Sequence, residues 1–356
     1  MAERTNQRVL PISGYLNPSY CKVKRKVVDN PEYDCGTIGR CDSGKNPFKL
    51  KDMKSAVERS VKAINNNEKI GILADYDVDG STSAAILYNF LKSLNQNISI
   101  KVPNRLEEGY GPNTRILDEF LSQEISIVFL LDCGTTAFDV LSNKKYFNID
   151  FIIIDHHISE SKLPRNYSLI NPNRYDENNE LSDLAAVGVT YLYLLALRKE
   201  LRNLNFFKNK KQPNLLTILD LVAIGTVCDV VPLKNINRSI VSKGLEIIKS
   251  RKSRSISTIL DNSNLNHEPK TDDLGYIIGP QINAASRLGH SQLPTQLLIS
   301  ENINEIDTIS KKLILLNEKR KLIENEIYNE AIKQVSNQKD SKFILIYADN
   351  WFKGVL

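Results

Sequence analysis

From residue 50 onward the chain alternates between two hydrophobic rhythms. "MKSAVERSVKAI" (53–64) repeats its apolar residues at helical spacing, whereas "KIGILA" (69–74) is a short unbroken apolar run, the pattern of a strand buried on both faces. "STSAAILYNFLKSL" (81–94) returns to helical spacing, with Ser81 placed to cap it. The alternation continues through strand "ISIKV" (98–102), helix "TRILDEFLSQ" (114–123), strand "ISIVFLL" (125–131) and strand "DFIII" (150–154). Apolar strands spaced by helical segments predict an α/β fold, a parallel sheet with helices on both sides.

Beyond the sheet the pattern is helical. Helices are expected at "VGVTYLYLLALRKEL" (187–201) and "LLTILDLVAIGTV" (215–227), joined through the polar loop "KNKKQPN", and several short ones over 237–300. Residues 303–335 read as one long helix whose stripe of Ile309, Leu313, Leu316, Ile323 and Ile327 is interrupted by Arg320. Without sustained heptads, such a helix is expected to pack on its own domain rather than form a coiled coil. "KFILIYA" (342–348) predicts a strand that opens a second, incomplete α/β domain. The expected organisation is an irregular segment over 1–46, a sheet domain over 47–235, a helical part completing that lobe over 236–302, a connecting helix over 303–338, and the start of the second domain over 339–356.

Composition narrows the class. Of 356 residues, 41% are apolar and 25% charged, as in ordinary soluble domains. A net charge of +5 permits a polyanionic partner without demanding one. The five scattered cysteines do not make a disulfide framework, so a reducing cytoplasm is expected. Cys21, Cys35 and Cys41 lack the paired Cys-x-x-Cys of a zinc knuckle, and an irregular surface segment is the reading for them. No apolar run approaches the roughly 20 residues of a membrane helix, and "MAERTNQRVL" carries no signal-type apolar stretch.

The chemistry lies where the strands stop. "KIGILA" runs into Asp75, Asp77 and Asp79, followed by Gly80; "ISIVFLL" runs into Asp132 and Gly134; "DFIII" runs into Asp155-His156-His157, half of the chain's four histidines. The carboxyl ends of parallel strands are where such sheets bind ligands. That many carboxylates on one edge would repel one another and stay partly protonated unless cations neutralise them. Carboxylates with imidazole suit Mn²⁺ or Mg²⁺ better than zinc. A shared carboxylate can hold two ions about 3.5–4 Å apart, as in displacement at phosphorus. "DYDVDG" taken alone resembles a calcium loop, but the glutamate closing an EF-hand is missing.

"ADYDVDGSTS", "DCG" and "IIDHH" resemble the motifs of the DHH phosphoesterase superfamily. "VPNRLEEGYGPN" (102–113), "AIGTVCDVVPL" (223–233) and "GPQINAASRLGH" (279–290) narrow the resemblance to its RecJ-type single-stranded-DNA exonucleases, over about residues 46–356. The resemblance implies a parallel sheet of the five-stranded type and two ions, Mn²⁺ or Mg²⁺, held by Asp77, Asp79, Asp132, His156 and Asp229, with Asp132 bridging. Sequence alone does not choose Asp229 over Asp220; the resemblance does. It makes His157 the group that contacts the scissile phosphate, with Asp75 and Asp155 orienting the ligands. Arg105, Asn283 and Arg287 would grip substrate phosphates.

The implied activity is 5′-to-3′ release of mononucleotides from single-stranded DNA during repair and recombination. A monomer is implied, with a single-strand-binding protein or a helicase as partner. The alternatives are a phosphodiesterase of short oligonucleotides, cyclic dinucleotides or pyrophosphate, or an inactive nucleic-acid-binding relative. Three positions depart from the family pattern: Ser286 replaces a glycine, Gln281 a common arginine, and Phe352 in "NWFKGVL" a histidine. Because that last motif is cut short, a truncated gene is expected.

Overall fold

A computed structural model of the chain describes residues 50–178, 181–336 and 343–355. The segment 1–46, with Cys21, Cys35 and Cys41, lies outside them.

Five parallel strands form one sheet: β1 (Ile70–Ala74), β2 (Ile98–Lys101), β3 (Ile127–Leu131), β4 (Asp150–Ile154) and β5 (Ser168–Ile170), in the order β2-β1-β3-β4-β5. The helices are α1 (Met53–Asn65), α2 (Val78–Ser93), α3 (Thr114–Ser122), α4 (Phe138–Leu141), α5 (Ala186–Asn203), α6 (Leu219–Cys228), α7 (Asn235–Lys249), α8 (Arg254–Asn262), α9 (Thr271–Asp273), α10 (Gly279–Arg287), α11 (Leu293–Ile299) and α12 (Ile303–Ser336). A π-turn over Leu274–Ile278 joins α9 to α10.

Successive strand residues point to opposite faces, so the continuous apolar runs feed two cores. Ile70, Ile72, Ile127, Phe129, Leu131, Ile152 and Ile154 pack into the larger core with α1, α2, α5 and α6. Leu73, Val128, Leu130, Phe151 and Ile153 pack on the other face against Ile116, Leu117 and Phe120 of α3. Burial on both faces is why these strands read as unbroken apolar runs.

The register decides what happens at the carboxyl edge. Ala74 pairs with Leu131, Leu131 with Ile154, and Ile154 with Ile170. The next residue of each strand therefore falls in one row, and the ladder extends by one bond at each step. Asp75 N donates to Leu131 O, Asp132 N to Ile154 O, and Asp155 N to Ile170 O. Equal strand ends thus bring Asp75, Asp132 and Asp155 side by side.

Several expectations need correction. Ser81 does not cap α2: Asp77 does, accepting the Gly80 N–H at 3.0 Å, and Ser81 is buried inside the helix. A side-chain oxygen three residues earlier meets the free amides of the first turn. The tight entry also needs glycine, because a Cβ on Gly80 would fall 2.4 Å from the Asp75 carbonyl oxygen. The residues of β5 carry no clear strand signal, being only three long. Residues 343–348 are not part of a strand, and Phe343, Leu345 and Tyr347 are exposed. The long helix forms, but only its first half is buried, through Ile306, Ile309, Leu313 and Leu316; Ile323 and Ile327 of the expected stripe remain partly exposed.

Candidate metal centre

Each strand end delivers its side chains in a different electrostatic state. Asp155 is fully buried and saturated with donors: Oδ1 accepts from His156 N (2.7 Å), His157 N (3.2 Å) and His157 Nδ1 (2.7 Å), and Oδ2 from Thr135 N (3.1 Å). Burial opposes its ionisation, but the bonds from His157 and Thr135 outweigh that and hold its carboxyl below the usual range. Asp155 is therefore an anion that organises the two histidines.

Asp79 is held as firmly from the other side. Its oxygens accept from Ala186 N (2.6 Å) and Val187 N (2.8 Å), the first amides of α5. Ala185 has no capping side chain, so Asp79 caps that helix across 107 residues. Burial first, then the charges of Asp229 and Asp77, still push its carboxyl upward.

Three further carboxylates each leave one buried oxygen without a protein partner among the described residues. These are Asp75 Oδ1, Asp132 Oδ1 and Asp229 Oδ2, buried atoms with no hydrogen bond among the described residues. Burial and then Asp77 raise Asp75 to about 8, and the same two causes raise Asp229 to about 7. Asp132 is pushed up by burial, then by Asp79 and Asp77. Asp132 also has φ 57°, a left-handed conformation that costs non-glycine residues energy. Such groups in native proteins have a purpose, and buried anions that repel one another call for a cation.

His156 connects the carboxylates. Its Nε2 lies 3.4 Å from Asp132 Oδ1, 3.6 Å from Asp229 Oδ2 and 3.8 Å from Asp79 Oδ2. Burial and the neighbouring His157 lower its pKa, favouring the neutral imidazole that ligates metals. Three overlapping sets, each with ligand atoms within 4.8 Å, follow: Asp75/Asp77/Asp132, Asp79/His156/Asp229 and Asp132/His156/His157. Asp132 belongs to two sets, as a bridging carboxylate between two cations would. Oxygen and nitrogen donors, without thiolate, fit Mn²⁺ or Mg²⁺; Cys228 instead donates to the Leu274 carbonyl at 3.3 Å.

His157 is oriented differently. Its side chain is 48% exposed. With Nδ1 bound to Asp155, the hydrogen bond first and burial in opposition, its pKa is raised. The geometry leaves Nε2 for an incoming anion. Arg105, whose charge reaches Asp75, lies over the Tyr76 ring at 5.1 Å. Burial, then the charge of Arg105, depress the Arg287 guanidinium. No carboxylate pairs with either arginine among the described residues, so two cations face one region. Arg287 Nη1 donates to Gly354 O at 3.2 Å.

The expected ligands thus come together, and Asp229 is separated from Asp220. Asp229 caps the C-terminal end of α6, whereas Asp220 is at its start, roughly 13 Å away along the helix at 1.5 Å per residue. Asn283 lies one turn before Arg287 with Oδ1 buried and unbonded, but no contact ties it to the carboxylates. Gln281 is turned into the lobe, donating to Ser263 Oγ at 2.8 Å. Sequence reasoning missed Tyr110, whose hydroxyl donates to Asp132 O at 2.9 Å and lies 3.2 Å from His157 Nδ1. It also missed Asn171 and Asn173, whose amides hold the carbonyls of His157 and His156 at 2.8 and 2.6 Å. Their position just past β5 was the available signal.

Residues 69–226 match the model of the DHH family, N-terminal domain. Over 319 residues the chain is 35% identical to the single-stranded-DNA-specific exonuclease RecJ of Haemophilus influenzae, covering 87% of this chain and 56% of that protein. The Escherichia coli protein of the same name is 34% identical over 317 residues, covering 86% and 55%. The chain therefore spans about half the length of the curated relatives it matches. A crystal structure of exonuclease RecJ bound to manganese superposes with TM-score 0.76 at 27% identity, over 87% of this chain and 76% of that one. RecJ from Thermus thermophilus in complex with Mn²⁺ gives 0.73 at 25% identity, over 88% and 44%. No helix among the described residues is long and apolar enough to cross a membrane. Residues 69–226 thus resemble the N-terminal domain of the DHH family, in a chain similar to the RecJ exonucleases in sequence and fold over most of its length.

Proposed function

We propose that this chain is a metal-dependent exonuclease lobe that hydrolyses phosphodiester bonds of single-stranded DNA from the 5′ end, releasing 5′-mononucleotides. The observation that carries this reading is the row of strand-end carboxylates with unbonded buried oxygens, joined through His156 and flanked by an exposed His157. The names of the similar proteins, single-stranded-DNA-specific exonucleases, and the manganese in their solved structures support it.

Asp77, Asp79, Asp132, His156 and Asp229 would hold two divalent cations, Mn²⁺ or Mg²⁺. When bound, these would supply an acidified water and positive charge at the leaving oxygen. The chain's own residues do the rest. Asp155 fixes the His157 ring through Nδ1, so Nε2–H is left to donate to a non-bridging phosphate oxygen where charge builds up. Arg105 and Arg287, planar donors without carboxylate partners among the described residues, bind phosphates of the substrate strand. Asp75 orients the ligands beside it. Asp79, tied to two amides, keeps its position as the charge of the site changes.

A role in DNA repair and recombination goes with this activity. So do a monomer in the cytoplasm and a helicase or single-strand-binding protein that supplies the strand. Comparing hydrolysis of a long 5′-phosphorylated single strand with that of a dinucleotide, in Mn²⁺, tests the reading. Preference for the long strand is expected, while preference for the dinucleotide would assign the chain to a short-oligonucleotide phosphodiesterase.

A further inference from the structure

Tyr110 belongs to none of the three ligand sets, yet it touches two of them. Its turn is built to deliver it. Gly109 and Gly111 on either side have φ of 77° and 81°, left-handed values that glycine adopts without strain. The pair of turns brings the phenol, from the loop after β2, across to the ends of β3 and β4.

The hydrogen bonds have one consistent direction. The Asp132 carbonyl can only accept, so the Tyr110 hydroxyl proton goes to it, at 2.9 Å. The Asp155 carboxylate likewise accepts, so His157 Nδ1 carries a proton, shared between Asp155 at 2.7 Å and the Tyr110 oxygen at 3.2 Å. The rings meet edge to face, centroids 5.7 Å apart at 70°, a favourable arrangement for two aromatic groups. The chain of bonds runs from the His157 ring through the phenol oxygen to the backbone of Asp132. Asp132 is also the residue held at φ 57°, and the bond to its carbonyl helps keep that conformation.

We infer that Tyr110 is a positioning residue for the proposed reaction: its hydroxyl ties the imidazole that meets the phosphate to the turn that carries the bridging carboxylate. This rests on the reading above. Without the tie, the hydrogen bond from Nδ1 to Asp155 alone fixes the His157 ring, and the half-exposed ring can swing about that bond. Loss of a supporting partner of this kind costs about 10- to 100-fold in activity.

Tyr110→Phe removes only the hydroxyl and keeps the ring, so any stacking on substrate is retained. The expected result is a fall in kcat of about 10-fold or more, with KM for a 5′-phosphorylated single strand unchanged and a somewhat lower thermal midpoint, because the Asp132 carbonyl loses its donor. A crystal structure of the metal-free variant, which does not depend on turnover, should show His157 in more than one rotamer where the parent shows one. A kcat within twofold of the parent, or a His157 ring still in its single position, would overturn the inference. If the parent itself lacks turnover, the exonuclease reading fails, while the His157 rotamers still decide whether Tyr110 positions the ring.

Discussion

His157 Nδ1 lies 2.7 Å from Asp155 Oδ1, and the same oxygen also accepts both histidine amides. One buried carboxylate thus sets the backbone turn and the ring orientation together. In Asp155→Asn the amide replaces a charged acceptor and must present an NH₂ to some of these donors. Turnover on a 5′-phosphorylated single strand should fall by about 100-fold, and the melting temperature should fall as well, because buried N–H groups lose their partner. Steady-state kinetics with a thermal melt check both; unchanged turnover would remove Asp155 from the account.

Asp229 and Asp220 occupy opposite ends of α6, and only Asp229 approaches His156, at 3.6 Å. Asp229→Asn is therefore expected to weaken Mn²⁺ binding by at least about 10-fold, whereas Asp220→Asn leaves it unchanged. Calorimetric titration of each variant with Mn²⁺ makes the comparison. Equal effects would show that the ligand set is misassigned.

Metal-free protein should become less stable as pH rises. Asp75 and Asp229 are raised to about 8 and about 7 in the fold, against about 3.9 for an unfolded aspartate. Between about pH 4 and pH 8 the folded chain therefore binds more protons than the unfolded one, and stability declines with pH. His157, with its raised pKa, acts in the same direction above its usual value. His156, held below its usual value, acts in the opposite direction only up to about pH 6.5. Chelator-treated protein should melt several degrees lower at pH 8 than at pH 5.5, and added Mn²⁺ should raise the midpoint most at pH 8. A flat profile in chelator would contradict the crowding of anions described here.

The sheet was legible because its strands are buried on both faces: "KIGILA", "ISIVFLL" and "DFIII" have no polar face to blur the run. Their polar ends were legible for the same reason, since an aspartate after four apolar residues stands out. β5 was not, because three residues carry too little pattern. Asp229 was indistinguishable from Asp220 by composition; only the axial rise along α6 separates them. Tyr110 was hidden because its role comes from two left-handed glycines, and a φ value is not written in residue type alone. Residues 343–348 misled in the opposite way, since an apolar run becomes a strand only where a neighbour completes its ladder.

The central claim is that Asp132 is shared between two bound cations that act on phosphate esters. The most direct measurement is Mn²⁺-dependent release of mononucleotides from a 5′-phosphorylated single strand by the parent chain and by Asp132→Ala. Turnover is expected in the parent and none detectable in the variant, with the fold intact by circular dichroism. Turnover by Asp132→Ala comparable to that of the parent would contradict it.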